Sequence, residues 1–145
     1  MEWCRAARTQ VPRWGMQDYQ KLRVWQLGHA LALDVARGLP ARASRRVPGL
    51  RTQAVRAATS ISWNIAEGCG KRTPDEFYRF LETALSSVLE LESQLLFARE
   101  LNVVTEQHYA RLNERSAVLR KMLIALMQRV LATITDDATK ADREP

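Results

Sequence analysis

The stretch Glu76–Leu101 constrains the fold more than any other part of the sequence. Apolar residues recur in it at alternating steps of four and three: Phe77, Leu81, Ala84, Val88, Leu91, Leu95 and Ala98. This spacing keeps one seam of a helix apolar over about three heptads, which is typical of a helix packed inside a bundle. The stretch therefore predicts a long bundle helix.

Three other segments show the same helical periodicity. The predicted helices are Tyr19–Arg37, Gly49–Glu67, Thr73–Leu101 and Thr105–Thr135, and a ten-residue connection bracketed by Pro40 and Pro48 follows the first. Thr73, Pro74 and Glu76 have the spacing of a helix-starting capping box. No segment alternates with a period of two, so no strands are expected. Because the second and third connections are short, we predict an all-α, antiparallel up-down-up-down four-helix bundle.

The chain divides into three predicted regions. The bundle occupies residues 19–135, which is long enough for one self-sufficient core. Residues 1–18 are expected to form a flexible extension, and residues 136–145 a disordered polar and acidic tail.

The third predicted helix carries more apolar residues than one packed seam requires. Excess apolar surface of this kind usually marks an interface with a partner, so we expect the chain to self-associate. The candidate interface residues are Trp63, Phe80, Leu85, Leu89 and Leu96.

Positive charge is concentrated in one part of the chain. No acidic residue occurs between Asp34 and Glu67, whereas arginines are frequent there, and the whole chain carries a net charge of +6. Such a cluster suits phosphate binding directed by shape and charge rather than by base sequence. The candidate nucleic-acid contacts are Arg42, Arg45, Arg46, Arg51 and Arg56, followed by Arg111, Arg115, Arg120 and Lys121. The alternative is a protein-interaction module whose arginines are only solvated surface.

The sequence offers little for catalysis. Neither His29 nor His108 follows a glutamate by three residues, and Cys4 and Cys69 form no metal-binding or redox motif. We therefore expect no metal, no cofactor and no enzymatic activity, with Cys69 an inert thiol and His29 a core or interface residue. A small-molecule binder or an enzyme is the third reading. No apolar run reaches the roughly 20 residues of a membrane span, and no secretory signal is present, so a cytoplasmic protein without membrane partners is expected.

Polar residues also interrupt the otherwise apolar helices at Asn64, Glu67, Glu90 and Glu92. Unpaired buried carboxylates are rare, so we expect structural contacts at these positions. One of the glutamates is expected to pair with an arginine of the second helix.

Several motifs resemble one known family. The segments Tyr19–Gln26, Asn64–Gly68, Arg79–Leu81 and Glu90–Glu92 are similar, in order, to those of the 23S rRNA intervening-sequence proteins, also called the S23 ribosomal protein family. The resemblance covers about residues 19–131. Members usually have a proline after the position of Ile61, where this chain has Ser62 and Trp63.

The resemblance implies a small bacterial cytoplasmic protein whose role in its family is largely uncharacterised. Related proteins assemble as barrel-like pentamers, so the resemblance implies a ring-like homo-oligomer, a homopentamer. The related accessory variability proteins of diversity-generating retroelements bind nucleic acid and a reverse transcriptase. Implied partners are therefore further copies of the chain, RNA or DNA, and a reverse transcriptase or other protein. The expected function is a non-catalytic, low-specificity nucleic-acid-binding or accessory scaffold protein.

Overall fold

The computed structural model describes residues 17–141, which fold into helices and connecting turns without any strand. A short 3-10 turn, Tyr19–Lys21, precedes the first α-helix. The α-helices are α1 Arg23–Gly38, α2 Ala41–Arg46, α3 Leu50–Cys69, α4 Pro74–Glu100 and α5 Glu106–Ala141. The predicted all-α class and helical bundle are confirmed.

The predicted apolar seam lies in the core. Each of its seven residues, from Phe77 to Ala98, is at most 3% exposed. Helix α4 packs against α3 on one side and α5 on the other, while α1 packs against α3 and α5. The contacts between α3 and α4 pair early positions of one with late positions of the other: Ser60 faces Ser87, and Gly68 faces Phe77.

The start of α4 follows its sequence signal. The Thr73 hydroxyl accepts a hydrogen bond from the Glu76 backbone N–H at 3.3 Å, and the Glu76 carboxylate accepts one from the Thr73 N–H at 3.3 Å. These two bonds form the predicted capping box and satisfy donors that a helix start leaves without an intrahelical partner.

Two boundaries differ from the prediction near the beginning of the bundle. Helix α1 begins at Arg23 rather than Tyr19, because Leu22 adopts an extended backbone and Asp18 caps a separate 3-10 turn. The connection after α1 is also largely helical, since it contains α2. Burial of Ala43, at 0% exposure, anchors this short helix to the core.

The end of α5 corrects the predicted tail. The helix continues to Ala141 instead of giving way to a disordered segment at residue 136. At 1.5 Å per residue its 36 residues span about 54 Å, against about 40 Å for the 27 residues of α4. All seven residues from Thr135 to Ala141 are exposed, as expected of a helix that outruns its neighbour. Residues 142–145 of the predicted tail and residues 1–16 of the predicted extension lie outside the described residues.

Candidate nucleic-acid interface

Arginine side chains tie together the helix ends around α2. Arg51 donates from Nε to the Leu39 carbonyl at 2.9 Å and from Nη2 to the Ala36 carbonyl at 2.8 Å. Arg46 donates from Nη1 to the Leu101 carbonyl at 3.1 Å. The Arg51 bonds satisfy carbonyls at the C-terminal end of α1, which a helix end leaves without partners. This part of the bundle therefore brings together α2 with the C-terminal ends of α1 and α4.

The exposed arginines here form a surface that we call the basic end. It consists of Arg37 in the last turn of α1 and Arg42, Arg45 and Arg46 of α2. The side chains of Arg42 and Arg45 form no hydrogen bond or ion pair among the described residues. Arg46 keeps its charge beside them while bonded to a neutral carbonyl. The charge of this surface is therefore available to an external anion.

Arg56 lies farther along α3, on its exposed side. It lines a groove between α3 and α4 together with Gln53, Ala57, Ser60 and Glu90, and the groove has a volume of about 350 Å³. Two of the first five predicted phosphate contacts therefore lie outside the basic end. Arg51 holds helices together, and Arg56 is separated from α2 along the α3 axis.

Most members of the second predicted group, on α5, form ion pairs within the chain. Asp34 forms ion pairs with Arg115 and, at 3.6 Å, with Arg111. Glu92 accepts from Arg120 Nε at 3.2 Å. In the described part of the chain only Lys121 of this group has no acidic partner. The structure therefore favours the basic end over α5 as a binding surface for anions.

The interrupting polar residues make contacts within the chain, as expected. Asn64 donates to the Ser60 carbonyl at 2.7 Å, and Glu67 pairs with Lys71 at 3.5 Å. Glu90 accepts from the Gln94 amide at 3.0 Å. One detail of the prediction is corrected, because the arginine that pairs with Glu92 is Arg120 of the last helix rather than a residue of α3.

Three of the predicted interface residues share one side of α4. Leu85, Leu89 and Leu96 are spaced by four and seven residues, and Leu89 and Leu96 are 50% and 41% exposed. Ile124 and Leu131 of α5, 39% and 48% exposed, are also seven residues apart. The Glu92–Arg120 ion pair connects the two helices between these rows. We call Leu85, Leu89, Leu96, Ile124 and Leu131 the leucine face.

Trp63 and Phe80 lie away from the leucine face. Trp63 is 68% exposed on α3, seven residues after Arg56 and thus on the same side of that helix. Phe80 instead packs close to Gly68, and Lys71 Nζ lies 4.6 Å from the centre of its ring. The structure therefore brings together three of the five predicted interface residues and places the other two elsewhere.

Cys69, His29 and His108 have different surroundings in the described part of the chain. Burial raises the pKa of the Cys69 thiol to about 11. His29 is exposed rather than in the core, and its ring stacks on Trp25 with centroids 4.9 Å apart and planes 9° apart. His108 lies against Gly38 on another helix. Within residues 17–141 no group of three histidine, cysteine or acidic side chains could hold a metal ion, and no helix could span a membrane.

The fold defines a class of protein, and similarity to known proteins defines a family. The class is that of small all-helical bundle proteins. The family model of the 23S rRNA-intervening sequence proteins matches residues 20–125, so the chain belongs to that family. A solved structure from Bacteroides thetaiotaomicron, described as a protein with unknown function from the S23 ribosomal protein family, is similar in fold. The two sequences are 22% identical, and the structures superpose with a TM-score of 0.66. The match covers 72% of this chain and 97% of the solved chain. No curated protein matches the chain.

Proposed function

We propose that this chain is a non-catalytic, cytoplasmic accessory protein that binds RNA or DNA with low sequence specificity through its basic end. The observation that carries the proposal is the pair Arg42 and Arg45, which are exposed and have no acidic partner among the described residues. By contrast, Arg111, Arg115 and Arg120 of α5 are paired with carboxylates. The free arginines can therefore contact phosphates without first breaking an internal ion pair.

The chemistry of this surface suits a phosphate backbone. Arginine binds phosphate through a planar fork of donors, and each phosphate contact releases condensed counterions from the nucleic acid. A net charge of +6 adds long-range attraction to any polyanion. Contacts of this kind position a nucleic acid but do not read its sequence, which is why low specificity is proposed.

We further propose that the bundle has up-down-up-down topology and that copies associate through the leucine face into a ring. The reversed order of contacts between α3 and α4 supports this topology. Exposed leucine and isoleucine side chains in adjoining rows favour burial against another copy. In a cyclic oligomer, pentameric by family resemblance, the basic end recurs once per copy, so individually weak phosphate contacts become multivalent.

A protein-interaction module without nucleic-acid binding is the second candidate. The leucine face favours it, because the same apolar surface could receive another protein, such as a reverse transcriptase, in place of a further copy. This candidate requires no role for Arg42 and Arg45, so substitutions at these positions separate the two functions.

The test is binding of a labelled RNA hairpin and a DNA duplex, measured by fluorescence anisotropy at about 50 mM salt. We expect the R42A/R45A variant to bind both about tenfold more weakly than the unmodified protein. R129A/K140A is the matched control, since it removes two exposed charges from the far half of α5 and should bind nearly as well. Equal affinity of both variants, or no binding by the unmodified protein, would reject the basic end as the site.

A further inference from the structure

The groove between α3 and α4 has polar groups that the fold leaves available. Arg56 and Glu90 both line it, from opposite helices. Neither forms an ion pair among the described residues, and Glu90 accepts only from the Gln94 amide at 3.0 Å. The other end of that amide, Gln94 Oε1, is buried without a hydrogen-bond partner. A guanidinium and a carboxylate therefore line one groove, and the amide bonded to that carboxylate has a buried, unsatisfied carbonyl.

Exposed aromatic rings lie beyond the groove along both helices. Trp63 is 68% exposed and follows Arg56 by seven residues, and Phe97 is 47% exposed and follows Glu90 by seven. Seven residues are two helical turns, so each ring lies about 10 Å along its helix from the groove and on the same side. Because the contacts of α3 and α4 run in opposite order, the two rings lie toward opposite ends of the groove.

Phe97, at one end of the groove, lies near the basic end. Phe97 lies in the last turn of α4, one turn before Leu101, whose carbonyl accepts the hydrogen bond from Arg46 of α2. A nucleic-acid strand whose phosphates contact α2 can therefore continue past Phe97 into the groove without crossing the bundle. Single strands are commonly held in this way, by cations that follow the backbone and aromatic rings on which bases stack.

We propose that this groove binds an unpaired guanine base of a single-stranded nucleic acid, a proposal that rests on the function proposed above. Guanine presents two adjacent acceptors, O6 and N7, to which an arginine such as Arg56 donates in bidentate fashion. Its Watson–Crick edge also presents two adjacent donors, N1–H and N2–H, which one carboxylate such as Glu90 can accept. Adenine has no such pair of adjacent donors, and uracil and cytosine lack the N7 acceptor.

The volume and the lining of the groove suit a nucleic-acid base better than they suit a protein partner. About 350 Å³ is at the lower end of the range for small-ligand pockets, roughly 300 to 1,000 Å³. Four of the five lining residues are polar or charged, whereas the central part of a protein interface is depleted of charge. Trp63 is then available to stack on a neighbouring base of the same strand.

The experiment compares labelled uridine strands of about twelve nucleotides that contain one central guanosine, adenosine or inosine. We expect the guanosine strand to bind about tenfold more tightly than the adenosine strand, the order of one bidentate base contact. Inosine lacks the N2 amino group and should lie between them. In the E90Q variant the ratio of the two dissociation constants should fall from about ten to about three, because the contact of Arg56 with O6 and N7 still distinguishes guanine from adenine. The variant E82Q, an exposed control on the same helix, should keep the full ratio.

The Trp63→Ala variant separates stacking from assembly. We expect it to weaken binding of all three strands about tenfold, to leave duplex DNA binding unchanged, and to keep the sedimented mass of the unmodified protein. Equal affinity for guanosine and adenosine strands, with normal salt-dependent binding, would overturn the groove proposal and leave the proposed function standing. A change in sedimented mass on W63A would also overturn it, because the surface would then be covered by another copy. No binding to any strand or duplex would reject both proposals.

Discussion

Gly68 is a residue at which the bundle has no room for a side chain. A Cβ there would lie 2.8 Å from Phe77 Cδ2 and 2.9 Å from Phe80 Cβ, both of helix α4. At Gly28, on α1, the nearest atom would be Ile61 Cγ2 at 3.4 Å, which is an ordinary contact. Both glycines are helical and buried. Alanine substitutions at the two positions therefore separate the effect of helix propensity on stability from the effect of steric crowding.

We predict that Gly68→Ala lowers the free energy of unfolding by about 1 to 3 kcal/mol, the usual cost of overpacking. Gly28→Ala should leave it unchanged or raise it by up to about 1 kcal/mol, because alanine is the better helix former. Urea unfolding followed by circular dichroism measures both. If the two substitutions change the free energy of unfolding by similar amounts, the close approach of α4 to Gly68 does not determine the cost of a side chain there.

Cys69 is a second residue whose behaviour follows from its surroundings. It is 3% exposed, and burial raises the pKa of its thiol to about 11. Since the thiolate is the reactive species, we predict that Cys69 of native protein reacts with a thiol reagent at about pH 8 only at the rate of unfolding. The measurement uses a Cys4→Ser background, with urea-unfolded protein as the fully reactive control. Rapid reaction of the native protein would contradict the buried placement.

At the scale of a single element, the start of α4 is held by reciprocal hydrogen bonds between Thr73 and Glu76. The hydrogen bond from the Thr73 hydroxyl is the main cause that lowers the pKa of Glu76, followed by backbone N–H groups and Lys71. A lowered pKa means that the ionised carboxylate stabilises the folded state. This contribution is present above the unfolded pKa near 4.5 and is lost as the pH falls through the folded value.

We predict that Thr73→Ala lowers the free energy of unfolding by about 1 kcal/mol at neutral pH. The loss of stability below about pH 4.5 should also be shallower in this variant, since Glu76 has then lost its main hydrogen-bond partner. Thr83→Ala, at an exposed position inside α4, is the control and should show neither effect. Thermal unfolding of the unmodified protein and of the two variants across a pH series measures both effects.

The elements that the sequence predicts well are those whose signal is local. The seam of α4 and its capping box lie within one continuous segment, and both were predicted residue by residue. Helix α2 was missed because it depends on the burial of Ala43 against the rest of the fold. The expectation that His29 lies in the core was wrong because the periodicity of α1 does not say which of its sides meets the core.

The candidate site was less predictable than the fold, because its chemistry depends on partners distant in sequence. Arg115 and its partner Asp34 are 81 residues apart, and Arg120 and Glu92 are 28 apart. Nothing local distinguishes these paired arginines from Arg42 and Arg45, which have no acidic partner among the described residues. Only the folded arrangement separates the charges that are available from those that are neutralised.

At the scale of the whole molecule, the leucine face predicts self-association. We expect Leu89→Glu to shift the protein toward a monomer of 16.6 kDa in sedimentation velocity at micromolar concentration, because it places a charge in a buried apolar contact. Val118→Glu is the matched control, since Val118 is 47% exposed, against 50% for Leu89, and lies outside this face. A monomeric unmodified protein, or an assembly that survives Leu89→Glu, would contradict the proposed interface.

The most direct test of the central claim is the salt dependence of binding to duplex DNA. If arginines of the basic end contact phosphates, the logarithm of the association constant must fall linearly with the logarithm of salt concentration, by about 0.9 per contact. We predict a clear negative slope for the unmodified protein. For R42A/R45A the slope should be shallower by about two for each copy of the chain that contacts the DNA. A flat response, or the same slope in both proteins, would contradict the account.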